Sequence, residues 1–179
     1  LRLLERLRAN EADMAFFPAT ELPPDFHSLR IYRSKKGILV RDGHPVIEAY
    51  EKAGVMTWEL LNRWPAVCVT AGMKDGGAKS VEGRRVGVVL PYFLTVPYVV
   101  ARTDFTFEGP LITLRRFMMD SQFQFRILPM PEESGPFEPR LVWHHCSHTD
   151  PFLQWVRGLV VDAARSEARL LGVIDTSEE

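Results

Sequence analysis

Short apolar runs alternate with amphipathic stretches along most of the chain, and this alternation limits the possible folds more than any other feature. Strands are predicted at residues 13–17, 29–33, 37–41, 66–70, 86–90, 123–128 and 141–143, of which 13–17 and 86–90 are expected to be buried. Asp150 and Pro151 supply an N-cap and a first helical residue for the last helix, which should end near Gly172. The order of the elements predicts an α/β fold.

The composition excludes several classes of protein. The chain has 179 residues, 46% of them hydrophobic and 25% charged, which is typical of a folded globular protein. Its 22 Lys and Arg residues balance 23 Asp and Glu residues, so the chain lacks the basic excess with which a domain grips nucleic acid. The longest uncharged run, Val86–Ala101, contains two prolines and is shorter than the roughly 18 apolar residues of a membrane span. We therefore expect a small molecule or another protein as the partner.

The segment between the last predicted strand and the last helix is rich in side chains that can bind metal. His144, His145, Cys146, His148 and Asp150 have the chemistry that zinc prefers. Polar residues before a helix commonly turn and cap the chain, so we interpret the cluster as structural and predict neither a metal site nor a cofactor. The common sequence motifs of serine hydrolases, zinc peptidases and dinucleotide-binding proteins are absent, and no catalytic residue is predicted.

Two other reactive side chains have ordinary interpretations. Cys68 lies in an apolar strand and is predicted to be a buried thiol, and His44 precedes Pro45 in a turn where a solvated imidazole is expected. Two cysteines in a chain of this length favour a reducing compartment, which predicts a cytoplasmic location.

Tyr92 and Phe93 follow Pro91 at the carboxyl end of the strand predicted at 86–90. In open α/β sheets, ligands bind at the carboxyl ends of strands. Aromatic side chains are also common in protein cores, and that bias favours burial of both residues over ligand binding. Both interpretations stay open on the pattern alone.

Several motifs together resemble the effector-binding domain of LysR-type transcriptional regulators. The segments that carry the resemblance are Asp13–Phe17, Val40–Pro45, Arg84–Asp104, Gly109-Pro110, Leu141–His144, Asp150-Pro151 and Trp155–Arg157. The last three are similar to the closing signature of that domain. The resemblance covers nearly the whole chain, and it is strongest for the branch that responds to aromatic compounds, nodulation flavonoids among them.

The resemblance implies a fold like that of type 2 periplasmic binding proteins, with two Rossmann-like α/β lobes joined by two crossover strands. Residues 1–65 and 144–179 would form the first lobe and residues 71–140 the second, with crossovers near 66–70 and 141–143. It also implies that the chain lacks the N-terminal winged helix-turn-helix of such a regulator, together with the first strand and helix of the first lobe.

Carried over by position, the resemblance implies an effector site in the interlobe cleft, mostly apolar and suited to a flat aromatic ligand. Its residues would be Phe17, Pro18, Thr70, Tyr92, Phe93, Gly109 and His144. The implied partners are the small-molecule effector, further copies of the chain in a homodimer or tetramer, and DNA only through the absent N-terminal domain, with no membrane partner. Two alternatives stay open: a metal-dependent enzyme using the His144–Asp150 cluster, and a secreted solute-binding protein of the same fold.

Overall fold

A computed structural model of the protein describes residues 2–17, 21–70 and 83–174. In chain order, its helices and strands are α1 (Arg2–Arg8), β1 (Ala15–Phe17), β2 (Phe26–Arg30), β3 (Lys36–Arg41), α2 (Pro45–Ala53), α3 (Trp58–Leu61), β4 (Ala66–Val69), β5 (Val86–Leu90), α4 (Val96–Val100), β6 (Phe107–Pro110), α5 (Leu111–Asp120), β7 (Phe125–Pro129), β8 (Arg140–His144) and α6 (Pro151–Leu170). Within these described ranges, no helix is both long and apolar enough to cross a bilayer.

The contacts divide the chain into two compact units. Unit 1 contains the residues up to Ser34 together with those from Pro136 onward, and unit 2 is Lys35–Gly135. This division differs from the predicted lobes, whose crossovers were placed near 66–70 and 141–143. The reason is that β3 forms hydrogen bonds with β6 and β7, so the chain has already entered unit 2 before β4. Apolar patterning marks a strand but does not identify its partner in the sheet.

In unit 1, β8 lies at the centre of an antiparallel sheet with the strand order β1-β8-β2. Successive side chains of a strand point to opposite faces of the sheet. Leu141 and Trp143 accordingly pack with Val161 of α6, whereas Val142 packs with Leu7 of α1 on the other face. The uninterrupted apolar run in β8 is therefore explained by helices on both of its faces.

Unit 2 repeats this arrangement around β3, which lies between β6 and β7 in an antiparallel sheet. Ile38 and Val40 pack against the α2–α3 side, and Leu39 packs with α4 and α5 on the opposite face. All three side chains are buried. β4 and β5 form a separate parallel pair in the described part of unit 2.

The environment of His44 differs from the one predicted. His44 is only 1% exposed and is the N-cap of α2, a helix that the sequence analysis did not identify. Its Nδ1 accepts a hydrogen bond from the backbone N–H of Val46 at 3.0 Å, and its ring packs edge-on against Trp64. Burial lowers the pKa of His44. The prediction of a solvated turn histidine was wrong because the turn is the start of a helix, and the imidazole that caps this helix is itself buried against Trp64.

Candidate functional site

The carboxyl ends of β4 and β5 lie side by side in unit 2. The two strands are parallel, with Val69 opposite Leu90, and the pairing continues one residue further, because the backbone N–H of Thr70 donates to Leu90 O at 3.0 Å. The Thr70 hydroxyl also lies 3.5 Å from the same carbonyl oxygen. Thr70 therefore stands at the strand ends, next to the segment that begins with Pro91.

Tyr92 and Phe93 are exposed rather than packed in the core, with 68% and 43% of their surfaces accessible. Phe93 contacts the ring of Phe107 edge-on at 6.2 Å between centroids, and this contact restrains the orientation of the Phe93 ring. Leu94 and Tyr98 are also exposed in the same stretch. The structure thus resolves the open alternative for these aromatic residues in favour of a surface that water reaches.

Strand β5 itself is not buried, contrary to the prediction. Val86 and Val89 are 42% and 52% exposed. In the described part of unit 2, β5 pairs only with β4, so the apolar run belongs to a strand with one partner. A continuous apolar run is common in a strand that is covered on both faces. Here that pattern predicted the strand correctly but wrongly predicted that its side chains are buried.

Gly109 is buried in β6, and the structure gives its lack of a side chain a packing explanation. A Cβ at this position would lie 3.0 Å from a carbon of the Phe107 ring and 3.4 Å from Leu114. The space above Gly109 is therefore filled by the ring that also supports Phe93.

The site residues predicted in unit 1 are not brought together. Phe17 lies opposite Arg140 at the start of β8, whereas His144 is the last residue of that strand, about 13 Å away at the usual rise of a strand. Pro18 lies outside the described residues. Thr70, Tyr92 and Phe93 therefore follow the ends of two paired strands of unit 2, whereas Phe17 and His144 lie at opposite ends of β8 in unit 1.

The five metal-capable residues before α6 do not point to one common centre, because they have different partners. His144 pairs with Asp25 and Cys146, and Asp150 accepts from the backbone N–H of Leu153 as the N-cap of α6. His145 and His148 contact His27 of β2. Across the described ranges, no group of three or more His, Cys, Asp or Glu side chains could hold a metal ion. The cluster therefore gives the metal-dependent enzyme hypothesis no support.

Unit 1 also contains a stack of aromatic rings that no sequence pattern indicated. The rings of His27 and His148 are parallel within 11° with 3.8 Å between centroids, and His27 Nε2 lies 2.9 Å from His145 Nδ1. Trp143 Nε1 donates to His148 Nδ1 at 3.2 Å. The Arg157 guanidinium lies over the Trp143 ring, 4.6 Å from its centroid. His27 comes from a distant part of the chain, so local spacing carries no signal for this cluster.

This stack predicts that unit 1 loses stability in mild acid. Burial, and then the charges of His148, His145 and Arg157, lower the pKa of His27 below its usual 6.5. Because the unfolded chain then binds the proton more readily, the stability contribution is intact above about pH 6.5 and is lost as the pH falls from there towards the folded pKa. We expect the urea midpoint to fall between about pH 7.5 and about pH 5.5, and to fall less in His27→Gln.

Circular dichroism at each pH measures this difference. The Asp25 carboxyl does not interfere, because the guanidinium of Arg8 lowers its pKa to about 2 and its contribution is lost only at more acidic pH. His44 is retained in both proteins, so its titration cancels in the comparison. An equal pH dependence of the urea midpoint in the wild type and His27→Gln would contradict the assignment of this stability loss to His27.

Comparison with known proteins identifies the family. The model of the LysR substrate binding domain matches residues 1–165. The chain belongs to this family. The chain is 27% identical over 172 residues to the HTH-type transcriptional regulator SyrM 1 of Sinorhizobium fredii (strain NBRC 101917 / NGR234), covering 92% of this chain and 48% of that protein. The chain thus spans about half the length of that relative.

Solved LysR-type domains share the fold. The regulatory domain of MexT, a transcriptional activator in Pseudomonas aeruginosa, matches with a TM-score of 0.69 and 21% identity, covering 89% of this chain and 76% of that one. The effector-binding domain of QuiR, solved in complex with shikimate, matches with a TM-score of 0.66 and 13% identity, covering 92% of this chain and 78% of that one. The predicted α/β fold of the type 2 periplasmic binding protein kind is confirmed for this LysR substrate-binding domain.

Proposed function

We propose that this LysR substrate-binding domain is the effector-sensing part of a bacterial transcription regulator that acts in the cytoplasm and is not an enzyme. The family match over residues 1–165 supports this proposal, as does the regulator SyrM 1, of which the chain spans 48%. DNA would be bound by an N-terminal winged helix-turn-helix, and the domain would associate with further copies of itself in a homodimer or tetramer.

The effector would be a small, aromatic molecule bound at the ends of β4 and β5. The observation that carries this proposal is the exposure of Tyr92 and Phe93 just after β5, whose last residue, Leu90, accepts a hydrogen bond from the backbone of Thr70. Two aromatic faces can stack on a flat ligand, and one hydroxyl can orient a polar substituent. The effector-binding domain of QuiR holds shikimate, which supports a small molecule as the ligand class. Phe17, Pro18, Gly109 and His144 stay predictions for this site.

Signal transmission would follow from a shift between conformations of the parent oligomer. A ligand moves such an equilibrium only as far as its affinities for the two conformations differ, and a change from 1:99 to 99:1 needs a difference of roughly 10⁴-fold. The bound effector would thereby alter how the oligomer presents its DNA-binding domains.

Thermal melts against a panel of compounds test the ligand. The panel contains benzoate, salicylate, phenol and naringenin, with shikimate as the non-aromatic member. A compound at about 1,000 times its Kd stabilises a protein by about 4 kcal/mol, or roughly 8–16 °C for a chain of this size. We expect such a shift from one aromatic class, reduced in Tyr92→Ala and Phe93→Ala by at least half.

Trp155→Ala is the matched control, because Trp155 is an exposed aromatic residue of unit 1 with 60% of its surface accessible. This variant should keep the full shift. A cooperative melt that no aromatic compound moves, or a shift that Trp155→Ala removes while Tyr92→Ala keeps it, would overturn the proposed ligand class or its site.

A further inference from the structure

Unit 1 contains a thiol, an imidazole and a carboxylate in a row, outside the ends of β4 and β5 at which the effector is proposed to bind. Cys146 Sγ lies 3.0 Å from His144 Nδ1, and His144 Nε2 lies 3.3 Å from Asp25 Oδ2. His144 ends β8, Cys146 lies in the following 3-10 turn, and Asp25 directly precedes β2. A thiol beside an imidazole that a carboxylate orients is the arrangement that activates cysteine nucleophiles.

The contacts of His144 fix which nitrogen accepts the proton. The backbone N–H of Cys146 points at Nδ1 at 3.4 Å, so the lone pair is on Nδ1 and the ring proton is on Nε2, facing Asp25. Arg8 donates two hydrogen bonds to the Asp25 carboxyl and lowers its pKa to about 2, which keeps it charged. The His144 ring also packs edge-on against Phe26, with 5.2 Å between centroids. The ring orientation is thus held from three sides.

The thiol is accessible from solvent, in contrast to the second cysteine. Cys146 is exposed, whereas Cys68 is buried, and burial raises the pKa of the Cys68 thiol. Asn10 Oδ1 lies 3.0 Å from Cys146 Sγ. Asn10 has a φ of 54°, the left-handed conformation, which asparagine tolerates better than most residues. This backbone conformation places a second acceptor beside the thiol at the end of α1.

We propose that Cys146 is a covalent modification site for conjugated carbonyl compounds, with His144 as the base and Asp25 as a positioning residue. The thiol proton passes to His144 Nδ1, and the sulfur electron pair forms a bond to the β-carbon of the compound. The C=C electron pair moves to the carbonyl oxygen as an enolate, and the imidazolium returns its proton to the α-carbon. The product is a thioether that contains every atom of both reactants.

The surroundings favour carbon electrophiles over oxidants. A sulfenic acid is recovered when a second thiol condenses with it, and the other cysteine of this chain is buried. Addition to a conjugated carbonyl needs no second thiol and no co-reactant, since base and proton donor are the same imidazole. Its adduct would also displace the contact between Cys146 and Asn10, at the junction of α1 with the segment before α6.

The test uses N-ethylmaleimide as the conjugated carbonyl and peptide mass spectrometry of the whole chain as the readout. We expect Cys146 to react at least about tenfold faster than glutathione at the same pH, and the rate to fall about tenfold in His144→Gln. His145→Gln is the matched control, because His145 contacts His27 rather than the thiol and should leave the rate unchanged. Asp25→Asn should displace the pH–rate profile, and Asp25→Glu should restore part of it.

Cys68 reports on folding in the same experiment, because it is labelled only when unit 2 opens, and circular dichroism of each variant reports on unit 1. If His144→Gln fails to fold, the comparison of wild-type Cys146 with glutathione and the Asp25 profiles decide the proposal. A Cys146 rate equal to that of glutathione, or a folded His144→Gln that reacts as fast as the wild type, would overturn it.

Discussion

Replacement of Arg84 by Met is expected to destabilise unit 2 by about 3 kcal/mol. The Arg84 side chain is only 3% exposed, and its guanidinium forms a salt bridge with Glu108 at 2.5 Å. It also donates to Asn62 Oδ1 at 2.5 Å and to Thr106 Oγ1 at 2.8 Å. Removal of the cation leaves a largely buried carboxylate and two polar groups without their donor, which costs more than the pair itself contributes.

Urea unfolding followed by circular dichroism measures this effect, which corresponds to a midpoint lower by about 1–2 M. Arg85→Met is the control, because Arg85 is the exposed neighbour and its loss should shift the midpoint little. An Arg84→Met protein with the midpoint of Arg85→Met would show that the buried network contributes nothing. Since Arg84 ties the start of β5 to β6, we also expect this variant to weaken any ligand bound beside Tyr92.

Arg157→Ala is expected to destabilise unit 1 by a similar amount, about 3 kcal/mol. Arg157 is 7% exposed, and its guanidinium lies 4.6 Å from the Trp143 ring centroid. It donates to Ser147 O at 3.2 Å and to His148 O at 2.9 Å, so it anchors the turn between β8 and α6. Truncation removes one donor from each carbonyl group, although His148 O keeps a hydrogen bond from Gln154 Nε2 at 3.1 Å, and it uncovers the tryptophan.

The comparison with Arg157→Lys and Arg169→Ala makes this prediction specific. Lysine keeps the charge but cannot stack on Trp143 and donate to two carbonyls at once, so Arg157→Lys should recover less than half of the loss. Arg169 lies exposed on the same helix, and Arg169→Ala should change stability by less than about 0.5 kcal/mol. Equal midpoints for the two alanine variants in urea would contradict the assigned role.

The sequence predicted elements best where local chemistry determines them. The start of α6 depends on the Asp150 carboxylate and on Pro151, which act within one helical turn, and the structure confirms both. The strand over 86–90 was also predicted, but its exposure to solvent was not. An apolar run indicates the propensity to form a strand and not the number of neighbouring strands. The helix α2 was missed, although Pro45 and Gly54 mark its two ends.

The candidate sites depend on contacts between distant parts of the chain, and no local sequence pattern contains information about such contacts. Thr70 and Tyr92 follow β4 and β5, and the pairing of these two strands is seen in the structure but is not contained in either strand's own pattern. His27 reaches His148, and Asp25 reaches His144, only because β2 pairs with β8. Residues before α6 were therefore recognised as chemically rich while their partners stayed unknown.

The most direct test of the proposed effector site is hydrogen exchange of this chain, with and without the panel compound that gives the largest melting shift. Ligand contact at the ends of β4 and β5 predicts slower exchange in peptides covering residues 66–70 and 90–100, with Tyr92→Ala weakening that protection. Protection confined to peptides of unit 1, or exchange that the bound compound leaves unchanged around Tyr92, would contradict the account.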